Sequence, residues 1–152
     1  MENRIFIGID PGKSGAICFM FEGKMFTRKC PTTLHDMVDI FHEIDEIAPN
    51  LQKYACIEKV HSFPGQGVRS VWTFAENFAY WKAIMATLKI PYIQVGPKMW
   101  QRYYSTAIPK DKKDRKNYLK QLAQEKYPAT KVTLYNADAI LIAEYCKYKY
   151  PI

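Results

Sequence analysis

Two short apolar runs that each end in an acid limit what this chain can become. Ile5-Phe6-Ile7-Gly8-Ile9 runs into Asp10, and Tyr54-Ala55-Cys56-Ile57 runs into Glu58. An uninterrupted apolar run of this length predicts a strand covered on both faces. Asp10-Pro11-Gly12 is a strong turn signal, so the first strand stops there with a carboxylate at its C-terminal end. Ala16 to Phe21 reads as a second strand, Glu22-Gly23 as a turn and Lys24 to Lys29 as a third strand, which together make an antiparallel meander. Thr33-Leu34-His35-Asp36 resembles a capping box, and Leu34, Met37, Phe41, Ile44 and Ala48 then recur at helical spacing as far as Pro49. A strand that returns after a crossover helix lies parallel to a strand of the same sheet. Pairing the second acid-tipped run with the first would bring Asp10 and Glu58 out at one edge, about 5 Å apart across the ladder.

The rest of the chain continues the same layout. The loop Phe63-Pro64-Gly65-Gln66-Gly67 leads into a predicted helix with Val68, Val71, Trp72, Ala75, Phe78 and Ala79 as its apolar positions. Ile90 to Val95 is the fifth strand, and Pro97 opens a short helix carrying Trp100. Residues 109–131 hold eight Lys or Arg against three acids and read as a basic surface helix with a sparse apolar face of Leu119, Leu122 and Tyr127. Asn136-Ala137-Asp138-Ala139-Ile140-Leu141-Ile142-Ala143 predicts a final helix with Asn136 as N-cap and Asp138 in its first turn. The expected class is α/β, a central five-stranded mixed sheet of meander plus parallel strands, flanked by helices. With 152 residues, one domain over 1–152 is expected, since a second separate core would not fit.

Charge narrows the partners. The net charge of +7 hides an asymmetry, because residues 1–50 carry −3 and the remainder +10. A basic half on a folded unit suits a polyanion or is simply a solvated face. No stretch approaches the ~20 apolar residues of a membrane span, and the start of the chain has no leader-like pattern. Cys18, Cys30, Cys56 and Cys146 form no C-x-x-C pair and read as reduced core residues of a cytoplasmic protein.

A carboxylate at the end of a buried strand is costly without compensating charge. Asp10 alone could be a turn residue, and Glu58 alone an ion pair with Lys59 or Arg69. Together with Asp138, at a helix start whose dipole favours an anion, they suggest a divalent metal site. An oxygen-only donor set suits Mg²⁺ or Mn²⁺ better than zinc. Two such ions ~4 Å apart can activate water and stabilise the leaving oxygen of a phosphodiester, chemistry that matches a basic surface gathering phosphates.

Ile7-Gly8-Ile9-Asp10-Pro11-Gly12-Lys13-Ser14-Gly15-Ala16, Ile57-Glu58-Lys59-Val60 and Ala137-Asp138-Ala139-Ile140-Leu141-Ile142-Ala143 resemble, in order and spacing, the three acidic motifs of RuvC-type Holliday junction resolvases. Phe63 to Gly67 with Trp72-Thr73-Phe74, Ile90-Pro91-Tyr92 and Pro97-Lys98-Met99-Trp100 look most like the phage and chloroplast branch. The resemblance implies an RNase H-like fold, a homodimer, and Mg²⁺-dependent nicking of opposed strands of a four-way DNA junction in recombination, repair or phage DNA processing. It would take place in the cytoplasm, the host's if the gene is a phage's. It makes Asp10, Glu58 and Asp138 catalytic metal ligands and Lys98, Lys113 and Lys116 DNA contacts, with Lys113 or Lys116 near the scissile phosphate, and the charge of the basic segment adds Lys112 and Arg115 as further DNA contacts. The resemblance also gives His61 or Phe63 the place of an aromatic wedge at the junction. Relatives supply a fourth ligand three to five residues before the last acid, where this chain has Tyr135, Leu134 and Thr133. That leaves Asn136 as either a carbonyl ligand or only a cap. Glu144, about 120° further round the helix, should not reach the same ions.

Other readings compete less well. Gly12-Lys13-Ser14 fails the P-loop spacing and precedes a strand rather than a helix. A two-domain sugar kinase or actin-like ATPase needs more than this length. A nuclease of the same fold acting on RNA·DNA hybrids would share the acids, and a branched-DNA-binding protein with impaired catalysis would keep the basic face.

Overall fold

A computed structural model describes residues 3–61 and 64–151. Strands β1 (Arg4–Asp10), β2 (Ala16–Phe21), β3 (Lys24–Lys29), β4 (Gln52–Glu58) and β5 (Tyr92–Val95) form one sheet in the order β3-β2-β1-β4-β5. The first three run as an antiparallel meander, while β1 with β4 and β4 with β5 are parallel. This is the mixed α/β sheet expected from the sequence. In the β1–β4 register Ile9 stands opposite Ile57, so Asp10 and Glu58 follow at the same edge.

Alternation along the strands sorts side chains between two layers. Ile5, Ile7 and Ile9 of β1 and Ala55 and Ile57 of β4 face one core, together with Met37, Phe41 and Ile44 of α1 (Leu34–Ile47) and Trp81 and Met85 of α2 (Val68–Thr87). Phe6 of β1 and Cys56 of β4 face the other. There they meet Trp100 of α3 (Pro97–Tyr104), Leu119 of α4 (Lys112–Lys126) and most of α5 (Ala137–Lys149). By the same parity Asp10 and Glu58 belong to the α5 side. All four cysteines are buried and unpaired, and no helix among the described residues is long and apolar enough to cross a membrane.

Helix α1 starts as expected, with Thr33 accepting a hydrogen bond from the Asp36 N–H. Three expectations need correction. The fifth strand begins at Tyr92, because Ile90 N–H still bonds Met85 O at the end of α2 and Lys89 turns the chain with φ at 59°. The sheet-facing side of α2 is Phe74, Asn77, Phe78, Trp81, Ile84 and Met85, whereas Val68 and Trp72 are 87% and 71% exposed. At 100° per residue four of the six predicted positions, Val68, Trp72, Ala75 and Ala79, centre about 150° from that inner face, while Phe78 lies on it. Asn136 occupies the N-cap position of α5 but makes no side-chain capping bond.

Candidate active site

The site is built where β1, β4 and the start of α5 meet. Glu58 and Asp138 are buried, at 8% and 7% exposure, and Asp10 is partly buried. Lys116 comes from α4 and donates from Nζ to Asp138 Oδ2 at 3.1 Å. Trp100 donates its indole N–H to Glu58 Oε2 at 2.6 Å. Asp138 Oδ1 is buried with no hydrogen-bond partner among the described residues.

The three carboxylates act on one another. Burial, then the charges of Asp138 and Glu58, hold the Asp10 carboxyl well above its ordinary range, with Lys116 opposing. Burial pushes Glu58 up to about 7, with Asp138 adding to the rise, although the Trp100 hydrogen bond and the cations Lys116 and Arg115 pull the other way. Burial alone would lower the Lys116 ammonium, yet Asp138, Asp10 and Glu58 together hold it above its usual value. Lys116 thus supplies the positive charge this acid cluster demands.

Among the described residues, no three His, Cys, Asp or Glu side chains stand at spacing that would hold a metal ion as they lie. The chemistry of the cluster nevertheless fits a hard divalent cation: an all-oxygen donor set, mutual repulsion, and an orphaned buried oxygen on Asp138. The charge imbalance gives a test. Glu58 and Asp10 bind protons more tightly folded than unfolded, so their contribution to stability is full below the ordinary carboxylate range; the Glu58 share is lost as pH rises through about 7, and the Asp10 share is lost at pH well above the ordinary carboxylate range. In chelator, the melting temperature is expected to fall by roughly 5 °C between pH 5 and pH 8. Mg²⁺ should recover it at pH 8, since a ligand of the native state stabilises by mass action. Thermal melts of Glu58→Gln should show a flatter profile; an equally steep one would remove Glu58 as the source.

Two supports escaped the sequence reading as functional residues. Trp100 is fully buried, and a buried indole N–H takes a partner. The folded sheet supplies the partner: β5 pairs Val95 with Glu58, so the helix beginning two residues later starts beside that acid. Asn77 Oδ1 accepts both the Gly12 N–H at 2.8 Å and the Trp81 indole N–H at 3.0 Å, tying the turn after Asp10 to α2.

The remaining candidates separate. Lys98, Lys112 and Lys113 are exposed, and Arg115 is half-buried with Nη1 donating to Lys110 O at 2.9 Å. Of the two lysines considered for the scissile phosphate, Lys116 is the one on an acid. His61 is exposed, and Phe63 lies outside the described residues. The Asn136 carbonyl oxygen accepts from Thr133 N–H at 2.7 Å, and its amide donates to Lys131 O and Thr27 Oγ1, so this side chain shapes the loop before α5. Glu144 accepts from the Tyr127 hydroxyl at 2.6 Å and faces Lys126, apart from the three acids.

No family model matches the sequence, and no curated protein matches it. Solved structures do. Thermus thermophilus RuvC in complex with a Holliday junction substrate aligns with a TM-score of 0.65 at 12% identity, covering 91% of this chain and 90% of that one. A second Thermus thermophilus RuvC structure gives 0.58 at 14% identity over 97% and 96%. The yeast mitochondrial Holliday junction resolvase Ydc2 gives 0.52 at 16% identity, over 93% of this chain and 76% of that one. The chain therefore has the RNase H-like fold of these proteins.

Proposed function

We propose that this protein is a metal-dependent endonuclease that resolves four-way DNA junctions. The observation that carries the reading is the convergence of Asp10, Glu58 and Asp138 around Lys116, next to a basic helix, on a fold shared with junction resolvases. Asp10, Glu58 and Asp138 would hold Mg²⁺ or Mn²⁺, which when bound supplies an activated water and charge stabilisation at the leaving oxygen. Trp100 holds the Glu58 carboxylate in one orientation and covers it from water. Lys116 balances the acids at rest and offers its ammonium to the phosphate that reaches them. Lys98, Lys112, Lys113 and Arg115 gather the backbone on either side.

End-labelled four-way junctions, forks and RNA·DNA hybrids, incubated with Mg²⁺, Mn²⁺ or Ca²⁺, test this. Paired symmetric nicks confined to junctions are expected in Mg²⁺. Hybrid cleavage would favour the related RNase H-like activity, and tight junction binding without nicks a binding protein. Neutralising Lys112, Lys113 and Arg115 together should weaken binding to any DNA and flatten the logarithmic salt dependence by about one unit per lost phosphate contact. An unchanged slope would turn this face away from the nucleic acid.

Two symmetric cuts call for a homodimer. The exposed stripe Val68, Trp72, Ala75 and Ala79 on α2 gives a second copy an apolar surface to cover. Trp72→Glu is expected to yield monomers in sedimentation velocity and to convert paired nicks into unpaired ones. A monomeric wild type, with and without DNA, would defeat this part.

A further inference from the structure

Away from the acids, the layer of α3 and α5 presents a cluster of aromatic rings. Tyr103 of α3 stacks on Tyr148 of α5, with ring centroids 4.6 Å apart and planes 27° from parallel. Tyr104 and Tyr145 lie 4.9 Å and 5.7 Å from Tyr103. The fold accounts for these two: Tyr145 is buried, and the Tyr104 hydroxyl donates to Leu141 O. It does not account for the outer pair, since Tyr103 is 43% and Tyr148 57% exposed, and Met99, one turn before Tyr103, is exposed as well. Tyr148 comes ten residues after Asp138, about 15 Å further along α5. Helix α2 packs on the opposite face of the sheet, so a dimer formed through its exposed stripe leaves this surface open.

Charge decides what can cover it. Lys98 and Arg102 precede Met99 and Tyr103 on α3, Lys147 and Lys149 flank Tyr148 on α5, and all four cations are exposed. Lys149 Nζ lies 5.9 Å over the Tyr145 ring. Neither α3 nor the part of α5 beyond Glu144 contains an Asp or Glu, and Glu144 itself accepts from the Tyr127 hydroxyl at 2.6 Å and faces Lys126 at 3.6 Å. A second copy of this face would meet like charge, and an apolar protein surface would have to desolvate the cations. A duplex brings phosphates but keeps its base faces stacked inside, which leaves the rings without a partner. Single-stranded DNA brings both, phosphates for the lysines and arginine and open base faces for the tyrosines. We propose that this surface binds single-stranded DNA, with Tyr103 and Tyr148 stacking on its bases, so that a branched substrate carrying an unpaired tail is held more tightly than a fully paired one. The consequence for substrate choice rests on the nuclease reading; the binding itself does not.

Two measurements test it. In the first, fluorescence anisotropy follows labelled oligothymidylate and an abasic oligomer of the same length, which has the phosphates without the bases. Wild type should bind the abasic strand about tenfold more weakly, and Tyr148→Ala and Tyr103→Ala should each weaken oligothymidylate binding about tenfold without changing the abasic value. Tyr148→Phe and Tyr103→Phe keep the ring and should bind as wild type does. Both positions are exposed, and thermal melts of the variants check that they fold. In the second, junctions with and without an unpaired thymidine tail are bound in Ca²⁺ and nicked in Mg²⁺. The tail should raise wild-type affinity by roughly tenfold, and Tyr148→Ala should lose that gain while binding the tailless junction unchanged. A wild type that nicks nothing yet binds oligothymidylate through Tyr148 would end the nuclease reading and keep this surface. Paired nicks on tailless junctions, with oligothymidylate affinity the same in wild type and both alanine variants, would overturn the surface and keep the nuclease. Equal binding of the abasic strand would overturn it too, and so would displacement of oligothymidylate by polyglutamate of equal charge, which would make an acidic protein the occupant.

Discussion

Asp138→Asn is expected to abolish strand cleavage while leaving affinity for a four-way junction equal or higher. The replacement is isosteric, so packing at the start of α5 is kept, but it removes one of three acids that a divalent cation would need. A bound metal contributes several kcal/mol of charge stabilisation in phosphoryl chemistry, and each ~1.4 kcal/mol is tenfold in rate, so the loss should be roughly 10³-fold or more. Affinity moves the other way because the cluster is over-supplied with negative charge: Asp10 and Glu58 are both raised towards their neutral forms. Removing the Asp138 charge frees Lys116 from its 3.1 Å partner and lowers the repulsion met by an incoming phosphate. Cleavage is read by single-turnover nicking in Mg²⁺, and affinity by fluorescence anisotropy in Ca²⁺. The same pattern is expected of Asp10→Asn and Glu58→Gln. A variant with near-normal Mg²⁺-dependent nicking would strike that residue from the ligand set. Loss of affinity in Asp138→Asn would instead assign Asp138 the task of holding Lys116.

The acid-tipped strands were legible because their signal is local. A continuous apolar run, a turn residue and a two-residue period fix both the strand and the face on which its last side chain emerges. Parallel pairing of β1 with β4 followed from one helix between them, and it alone puts Asp10 and Glu58 together. Trp100 was legible as part of a short helix but not as a hydrogen-bond donor, since its partner is 42 residues away and set by the β4–β5 register. Helix α2 defeated the periodic reading for another reason. It carries two apolar stripes, and a period identifies a stripe without saying which one the sheet covers. The longer-range bond from Gly12 to Asn77 decides that, and its side of the helix carries Trp81. Asn136 looked like a cap because the residue type favours caps. Its side chain instead satisfies the Thr133 N–H and Lys131 O of the preceding loop, a competition that residue identity does not resolve.

Gly8→Ala should be severely damaging for a single added methyl group. Gly8 shares its side of β1 with Phe6 and Asp10, the side on which α5 packs. A Cβ there would stand 2.2 Å from Ala139 O, 2.3 Å from Ala143 N and 2.9 Å from Ala143 Cα. All three atoms are helix backbone, so no rotamer change relieves the contact; the helix as a whole must lift from the strand. Ala139 and Ala143, four residues apart, present small side chains at this approach. Overpacking of yielding cores costs about 1–3 kcal/mol, and a rigid backbone clash should exceed that. For a chain of this size, 3 kcal/mol or more corresponds to a fall of roughly 10 °C in melting temperature. Gly23→Ala is the control. Its φ of 72° disfavours a side chain, yet nothing lies within 4 Å of the added Cβ, so only the left-handed backbone cost of roughly 1–2 kcal/mol applies. Because α5 carries Asp138, lifting it also separates that carboxylate from Asp10, and the folded fraction of Gly8→Ala should nick junctions more slowly than its stability alone explains. Calorimetric melting gives the first effect, and nicking normalised to folded protein the second. Wild-type stability in Gly8→Ala would mean that α5 does not sit on β1 at this distance, and the meeting of Asp10 with Asp138 would lose its structural basis.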